Sequence, residues 1–124
     1  MLKLIMCVKR RPDLTREAFD HHWRHHHAPL VIKHARILGI RRYIQTTPLN
    51  SPVQLAIQQS RNTDPVDFDG CAELWWNDLE SHLAARKTAP GLKALQELIE
   101  DERRFVDLQH SQLWYGEERY IFDQ

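Results

Sequence analysis

The sequence predicts an α+β fold, a ferredoxin-like protomer in which helices cover one face of a four-stranded antiparallel sheet. Two observations support this prediction. Four short segments are rich in apolar and aromatic residues, as strands are, and helical periodicity follows the first and the third of them. The length of 124 residues fits a single domain, residues 1–124.

Residues 2–8 form the first predicted strand, and their nearly continuous apolar character favours a strand covered on both faces. Thr15 is placed to cap the helix that follows. At about 100° per residue, this helix carries one inward stripe, namely Phe19, Trp23, His26 and Leu30. Pro29 disfavours helical geometry at Ala28, so we expect the helix to end or kink there and a second short segment to close at Gly39.

Residues 40–47 alternate in character and predict the second strand, with one face formed by Arg41, Tyr43 and Gln45. The long connection after it, residues 48–67, contains a Ser51-Pro52 pair that suits the start of a short helix. Because long connections in small domains are often functional or mobile, this segment is a candidate lid. The alternative is an ordinary insertion packed on the rim of the fold.

The second half of the chain repeats the pattern. The predicted elements are a strand (71–76), a helix (79–87), a longer helix (92–106) and a final strand (111–122). Asn77 or Asp78 can cap the first of these helices, and one of its stripes holds Leu79, His82 or Leu83, and Arg86. For the longer helix we expect the inward residues to be Leu92, Leu95, Ile99 and Val106.

Three of the four strands carry apolar or aromatic residues on both faces, as the adjacent pairs Leu4–Ile5, Leu74–Trp75 and Trp114–Tyr115 show. The sheet face without helices therefore needs a cover. A second copy of the chain would supply it, sheet against sheet, and enclose a cavity in each subunit. We accordingly predict a homodimer, joined through its sheet faces, with a cavity for a small molecule in each subunit.

The composition argues against several other partners. The formal net charge is zero, which gives no electrostatic basis for binding nucleic acid or an anionic membrane, and no apolar stretch approaches transmembrane length. Cys7 and Cys71 both lie in predicted strands, where free cysteine behaves as a small apolar residue. We therefore expect a reduced, cytoplasmic protein.

The run HHWRHHH at residues 21–27 places five histidines around one helix, so they cannot all ligate one ion. The pairs His21/His25 and His22/His26 have the spacing that chelates a metal, but no third ligand is evident and the glutamate of an HExxH motif is absent. We predict no metal site. Adventitious divalent metal at these pairs, and haem with His22, His26 or His27 as its axial ligand, are the weaker alternatives.

Two of these histidines lie close to the apolar stripe, where a buried imidazole needs a hydrogen-bond partner. For His26 and His27 one interpretation is a packed ring bonded to a backbone carbonyl, and the other is a general acid or base facing a cavity. By contrast, His21 and His25 point away from the stripe and belong to a solvated face.

The chain resembles the EthD group of small dimeric α+β barrel proteins. The matching segments are RRPDLTREAFDHHWRHHHAPL (10–30), IRRYIQ (40–45), DGCAELWWND (69–78) and DERRFVDLQHSQLWYGEE (101–118). The resemblance implies a ferredoxin-like protomer, a face-to-face dimer and a small-molecule cavity. The wider superfamily includes cofactor-free monooxygenases, lactone isomerases, decarboxylases and haem-degrading enzymes, so the fold does not give the chemistry.

The resemblance also implies site residues. The histidine of the HAPL motif is His27 and the tyrosine of the second strand is Tyr43, which match a histidine and a tyrosine of methylmuconolactone isomerases. The third-strand cysteine of those isomerases falls on Leu74, with Cys71 three residues earlier, and this departure counts against isomerase chemistry. The family match selects His27 where helical periodicity selects His26.

We predict an enzyme without metal or cofactor that acts by proton transfer on a cyclic or aromatic acid, lactone or phenol. It would be an isomerase, a lyase or decarboxylase, or a cofactor-free oxygenase. The predicted catalytic residues are His27, Tyr43 and His26, and the predicted substrate-binding residues are Arg41, Trp75, Trp76, Glu73 and Trp23. Arg41 would hold a carboxylate, while Glu73 either pairs with Arg41 or Arg42 or serves as a second acid or base. The alternative is a non-catalytic dimer that binds a hydrophobic metabolite or assists another enzyme.

Overall fold

A computed structural model of the chain describes all residues, 1–124. The strands are β1 (Leu2–Val8), β2 (Arg42–Thr46), β3 (Gly70–Trp76) and β4 (Gln112–Glu117). The helices are α1 (Arg16–His22), α2 (Ala28–Leu38), α3 (Pro52–Arg61), α4 (Leu79–Lys87) and α5 (Ala89–Phe105). A π-helical turn (Trp23–His27) joins α1 to α2, and a 3-10 turn (Leu108–His110) precedes β4.

The four strands form one antiparallel sheet in the order β2-β3-β1-β4. This order, with helices on one face, confirms the predicted α+β, ferredoxin-like protomer. The two central strands, β1 and β3, pair over their full length, from Leu2 opposite Trp76 to Val8 opposite Gly70. Side chains of even number in both strands face the helices, because successive residues of a strand point to opposite faces.

The predicted interruption of the helix near Pro29 takes the form of the π-helical turn, which separates α1 from α2. Proline lacks an amide hydrogen, and in a regular α-helix its ring clashes with the carbonyl four residues earlier. The chain relieves both problems with the π-helical turn, in which the backbone N–H of Ala28 donates to the carbonyl of Trp23. α2 then closes at Gly39, whose φ of 72° is left-handed as predicted.

The core lies between the inner sheet face and the helices, in two clusters. One contains Val8, Phe19, Trp23, Ala72, Phe105 and Val106, and the other contains Val31, Leu38, Ala94 and Leu98. Tyr43 and Leu74 pack against both clusters and thus lie at the middle of the layer. The tilted rings of Phe19, Trp23 and Phe105 fix the π-helical turn against α5.

The segment 48–67 contains α3, which starts at Pro52 after the Ser51 cap as predicted. Its apolar side chains Val53, Leu55 and Ile57 are all more than half exposed. None of its residues lines the main cavity of the protomer. A lid function for this segment stays a prediction.

No helix of the chain has the length and apolar character needed to span a membrane.

Candidate functional site

An apolar cavity of about 160 Å³ lies between the inner sheet face and α2, α4 and α5. Of its 21 lining residues, 17 are hydrophobic. An apolar cavity of about 150 Å³ is large enough for a benzene-sized ring, so this one suits a single-ring molecule. The polar or titratable side chains that line it are His27, Tyr43, His82, Arg86 and Glu102.

His27 lies at the end of the π-helical turn and is 6% exposed. Its Nδ1 donates a hydrogen bond to Oδ2 of Asp101 on α5 at 2.8 Å. Since neutral imidazole carries one proton, this bond leaves Nε2 as the unprotonated nitrogen. Nε2 has no hydrogen-bond partner in the protein and is not fully buried, and the His27 side chain lines the cavity.

Asp101 is itself 6% exposed and holds three side chains together. Besides His27, it accepts hydrogen bonds from Nε2 of His22 at 3.0 Å and from Nη1 of Arg104 at 3.2 Å. Burial by itself would raise the pKa of Asp101, but the hydrogen bonds from His27 and His22 outweigh it and hold that pKa below its ordinary value. The carboxylate is therefore charged and fixes the tautomer and orientation of the His27 ring.

Two opposing effects act on the His27 imidazole. Burial lowers its pKa, while the hydrogen bond to Asp101 and the charge of that carboxylate raise it, and burial prevails. The ring is therefore neutral near pH 7 and able to accept a proton. This is the arrangement of a general base oriented by a buried carboxylate.

Tyr43 reaches the cavity from β2 through a defined hydrogen-bond chain. The side-chain amide of Gln45 donates to the carbonyl of Trp23 at 2.9 Å and to the hydroxyl oxygen of Tyr43 at 2.7 Å. Because the Trp23 carbonyl can only accept, it fixes the direction of the Gln45 amide. The Tyr43 hydroxyl thus keeps its own hydrogen for a ligand. Burial raises its pKa to about 12, so it stays a donor.

Glu102 is a carboxyl group of the cavity wall that has no hydrogen-bond partner in the protein. It is partly buried, and its side-chain oxygens are not sealed off from the cavity. Burial, reinforced by the neighbouring charge of Asp101, raises the pKa of Glu102 to about 7. A carboxyl group of this kind is present in both protonation states at neutral pH and can act as acid or base.

His82 and Arg86 approach the cavity from α4. The His82 ring is fully buried, packs edge-on against Trp76 at 4.1 Å between centroids, and has Nε2 2.7 Å from the Tyr115 hydroxyl. Burial and then the nearby Arg86 charge lower the pKa of His82 to about 4. Its Nδ1 is buried without a partner, which costs about 1–3 kcal/mol.

The structure brings four of the predicted site residues to the cavity: Trp23, His27, Tyr43 and Trp76. His26 is exposed and does not line the cavity, against the prediction from helical periodicity. The reason is the π-helical turn, which rotates less per residue than an α-helix. After Trp23, the fourth residue rather than the third returns to the inward stripe, and that residue is His27.

Three predicted substrate-binding residues lie elsewhere. Arg41 is exposed just before β2 and does not line the cavity. Trp75 lies on the outer sheet face, because β3 turns Trp76 inward, and its ring is stacked under the cationic groups of Lys3 and Arg42. Glu73 is also on the outer face and forms an ion pair with Lys3, not with Arg41 or Arg42.

Sequence reasoning missed four residues of the site: His82, Arg86, Asp101 and Glu102. Two signals were available. Glu102 follows Ile99 by three residues on the inward stripe of α5, and an ionisable residue on a buried stripe is a candidate for function. His82 and Arg86 share one predicted stripe of α4, and two ionisable residues on a stripe that faces the sheet are the second signal. Nothing in the sequence alone links Asp101 to His27, since 74 residues separate them.

No group of three or more histidine, cysteine or acidic side chains is placed to hold a metal ion. The predicted two-histidine pairs do exist on the helix surface. The ring centroids of His21 and His25 are 4.8 Å apart, and those of His22 and His26 are 5.2 Å apart. His22 is engaged with Asp101, so only the first pair is uncommitted.

The comparisons with known proteins agree with this architecture. The profile of the EthD domain family matches residues 11–109. An EthD family protein from Bacillus halodurans C-125 is 28% identical with a TM-score of 0.64, and the match covers 96% of this chain and 99% of that one. No curated protein sequence is similar enough to match the chain.

Two further solved structures share the fold at low identity. SnoaB, a cofactor-independent oxygenase from Streptomyces nogalater, is 13% identical with a TM-score of 0.58, over 99% of this chain and 97% of that one. A dimeric protein of unknown function with a ferredoxin-like fold, from Bacteroides fragilis, is 12% identical with a TM-score of 0.58, over 94% and 95%. At these identities the likeness concerns the fold alone.

Proposed function

The chain belongs to the EthD family, and on that premise we propose that it is a small-molecule enzyme whose reaction depends on proton transfer. Its substrate is a single-ring acid, lactone or phenol. The reaction is an isomerisation, an elimination or decarboxylation, or an oxygenation without a resident metal or cofactor. The fold is compatible with the last of these, since a cofactor-independent oxygenase shares it.

The observation that carries this proposal is the His27–Asp101 pair at the wall of an otherwise apolar cavity. Burying an ionised carboxylate opposes folding unless the charge is paired. The Asp101 carboxylate is hydrogen-bonded to the His27 ring, which lines the cavity and whose Nε2 has no partner in the protein. A neutral Nε2 in this position can take a proton from a C–H or O–H group of the bound molecule.

Two other groups complete the proton transfer. As His27 removes a proton, negative charge develops on an oxygen of the substrate as enolate or phenolate, and the Tyr43 hydroxyl donates a hydrogen bond to it. Glu102 stands on the same cavity wall as a carboxyl group that can return a proton elsewhere on the ring. The apolar lining excludes water and so strengthens each of these interactions.

The non-catalytic alternative, a dimer that only binds a hydrophobic metabolite, accounts less well for the cavity. Such a site gains from apolar walls and a few fixed polar groups. It gains nothing from a histidine held neutral by burial or from a half-ionised carboxyl group without a partner. These groups favour an acid–base role over simple binding.

The proposal is tested with a panel of monocyclic butenolides, phenols and aromatic carboxylic acids. Each compound is incubated with the protein in D2O and followed by NMR for deuterium incorporation and for product formation, with and without oxygen. We expect protein-dependent exchange at a position next to a carbonyl or phenolic carbon for at least one class. Binding of panel members without exchange or turnover would instead support the non-catalytic alternative.

We also propose that the protein is a homodimer through the outer sheet face. This face carries Ile5 opposite Trp114, and Trp114 is 50% exposed in the single chain. Burying such residues contributes about 25 cal/mol for each Å² of apolar surface removed from water. A related fold from Bacteroides fragilis is described as dimeric.

We expect Trp114→Lys to convert the dimer to a monomer at micromolar concentration, because it would replace an apolar side chain of the proposed interface with a buried charge. Light scattering after size exclusion measures this. The matched control is Leu92→Lys, which adds the same charge at an exposed leucine of α5 and leaves the dimer intact. A monomeric wild type, or a dimer that tolerates Trp114→Lys, would contradict the proposed interface.

A further inference from the structure

The cavity has two polar ends separated by apolar side chains. At one end the His27 ring packs on Phe105 at 5.1 Å, next to Glu102. At the other end the His82 ring packs on Trp76. Phe105 belongs to the same core cluster as Ala72, which lies four residues from Trp76 on β3, or about 13 Å along the strand. The His27 end of the cavity therefore lies towards Ala72, and the His82 end lies towards Trp76.

Arg86 is the only lining residue whose charge is permanent, since a guanidinium does not deprotonate in proteins. The Arg86 side chain is partly buried and forms no ion pair. The lysine and arginine side chains that do form ion pairs are Lys3, Lys9, Arg10, Arg11, Arg16, Arg24 and Arg104. A partly desolvated guanidinium without an anion at the wall of an apolar cavity is a group that still lacks its partner.

His82 supplies a second and independent observation at the same end. It lies one helical turn before Arg86, so both side chains are on one face of α4. Its buried Nδ1 has no hydrogen-bond partner. This nitrogen is sealed from the cavity, so Arg86 is the donor that a ligand at this end can reach, and the His82 ring forms the wall beside it.

We infer that the end of the cavity formed by His82 and Arg86 binds the carboxylate of a single-ring acid, and that Arg86 selects acids over neutral ligands of the same shape. This inference rests on the proposed function, which places the chemistry at the opposite end. It narrows the substrate class to ring compounds that carry a carboxylate. The substituent that reacts then points towards His27 and Glu102.

A carboxylate fits the Arg86 guanidinium better than a lactone or a phenol does. It offers two coplanar oxygens, which match the parallel N–H bonds of a guanidinium. A neutral lactone or phenol would leave the charge of Arg86 uncompensated inside the cavity. Glu102 is the acidic group of the lining and lies at the other end, beside Asp101, so it does not compete for Arg86.

The test compares benzoate with benzamide, which has the same shape and no charge. Binding to the protein is measured by calorimetry or by ligand-observed NMR. We expect the wild type to bind benzoate at least about ten-fold more tightly, because charge-assisted hydrogen bonds are roughly twice as strong as neutral ones. In Arg86→Gln we expect the two affinities to become equal, with the affinity for benzamide unchanged.

Two variants sharpen the interpretation. Arg41→Gln removes an exposed arginine outside the cavity and should keep the preference for benzoate. Arg86→Lys should keep part of it, since ammonium is a cation without the planar fork. Equal wild-type affinities, or a preference that survives Arg86→Gln, would overturn the carboxylate site while leaving the proton-transfer proposal in place. A wild type that binds neither probe would overturn this inference, and exchange in the D2O panel would still decide the proposed function separately.

Discussion

Replacing His27 with asparagine is expected to lower turnover of the substrate found in the D2O panel by about 10²–10⁴-fold, the usual contribution of a general acid or base. The side-chain amide of asparagine can still donate to Asp101 in place of Nδ1–H, so the buried carboxylate keeps its partner. What disappears is the basic Nε2 that faces the cavity. Steady-state kinetics, together with urea unfolding of the same sample, separates lost chemistry from lost folding.

His26→Asn is the matched control for this experiment. The substitution is the same, the position is adjacent, and the His26 side chain is exposed outside the cavity. We expect its turnover to stay within about two-fold of wild type, as for surface substitutions away from special features. Normal turnover in His27→Asn, or an equal loss in both variants, would contradict the assignment of the base to His27.

The fold could be predicted from the sequence because its determinants are local. β1 and α4 were predicted over the residues that they occupy, since a strand and a capped helix each have their own periodicity and end signals. β4 was predicted to run to residue 122 but ends at Glu117. Glu117 pairs with Leu2, the first residue of β1, so the chain beyond it has no strand to bond.

The site was only partly predictable because its geometry depends on contacts between distant residues. Helical arithmetic assumed a regular α-helix and so turned His26 inward, whereas the π-helical turn before Pro29 turns His27 inward. The strand pattern places Arg41 on the same sheet face as Tyr43. In the structure β2 begins only at Arg42, so Arg41 precedes the strand and does not share that face. The arginine of the cavity is Arg86, and only the packing of α4 on the sheet shows this.

Glu102 provides a prediction about stability that does not depend on any substrate. Its pKa is raised by burial to about 7 in the folded protein, whereas in the unfolded chain it has the ordinary value of 4.5. Between these two values the folded state binds more protons than the unfolded state, so this group lowers the free energy of unfolding as the pH rises through that window. A shift of this size corresponds to about 2–3 kcal/mol at pH 8 after allowance for the partial exposure of the side chain.

Glu102→Gln keeps the shape of the side chain and removes its ionisation. We therefore expect the variant to be more stable than the wild type by less than about 1 kcal/mol at pH 5, where only the unfolded chain is largely ionised at this group, and by about 2–3 kcal/mol at pH 8. Urea unfolding at both pH values measures this, and the difference between the two proteins cancels the titrations that they share, including that of His27. Glu100→Gln, at an exposed position of the same helix, should show no such pH-dependent gain. Equal stability of wild type and Glu102→Gln at pH 8 would mean that the carboxylate is already solvated or paired in the cavity, and would remove Glu102 from the acid–base role.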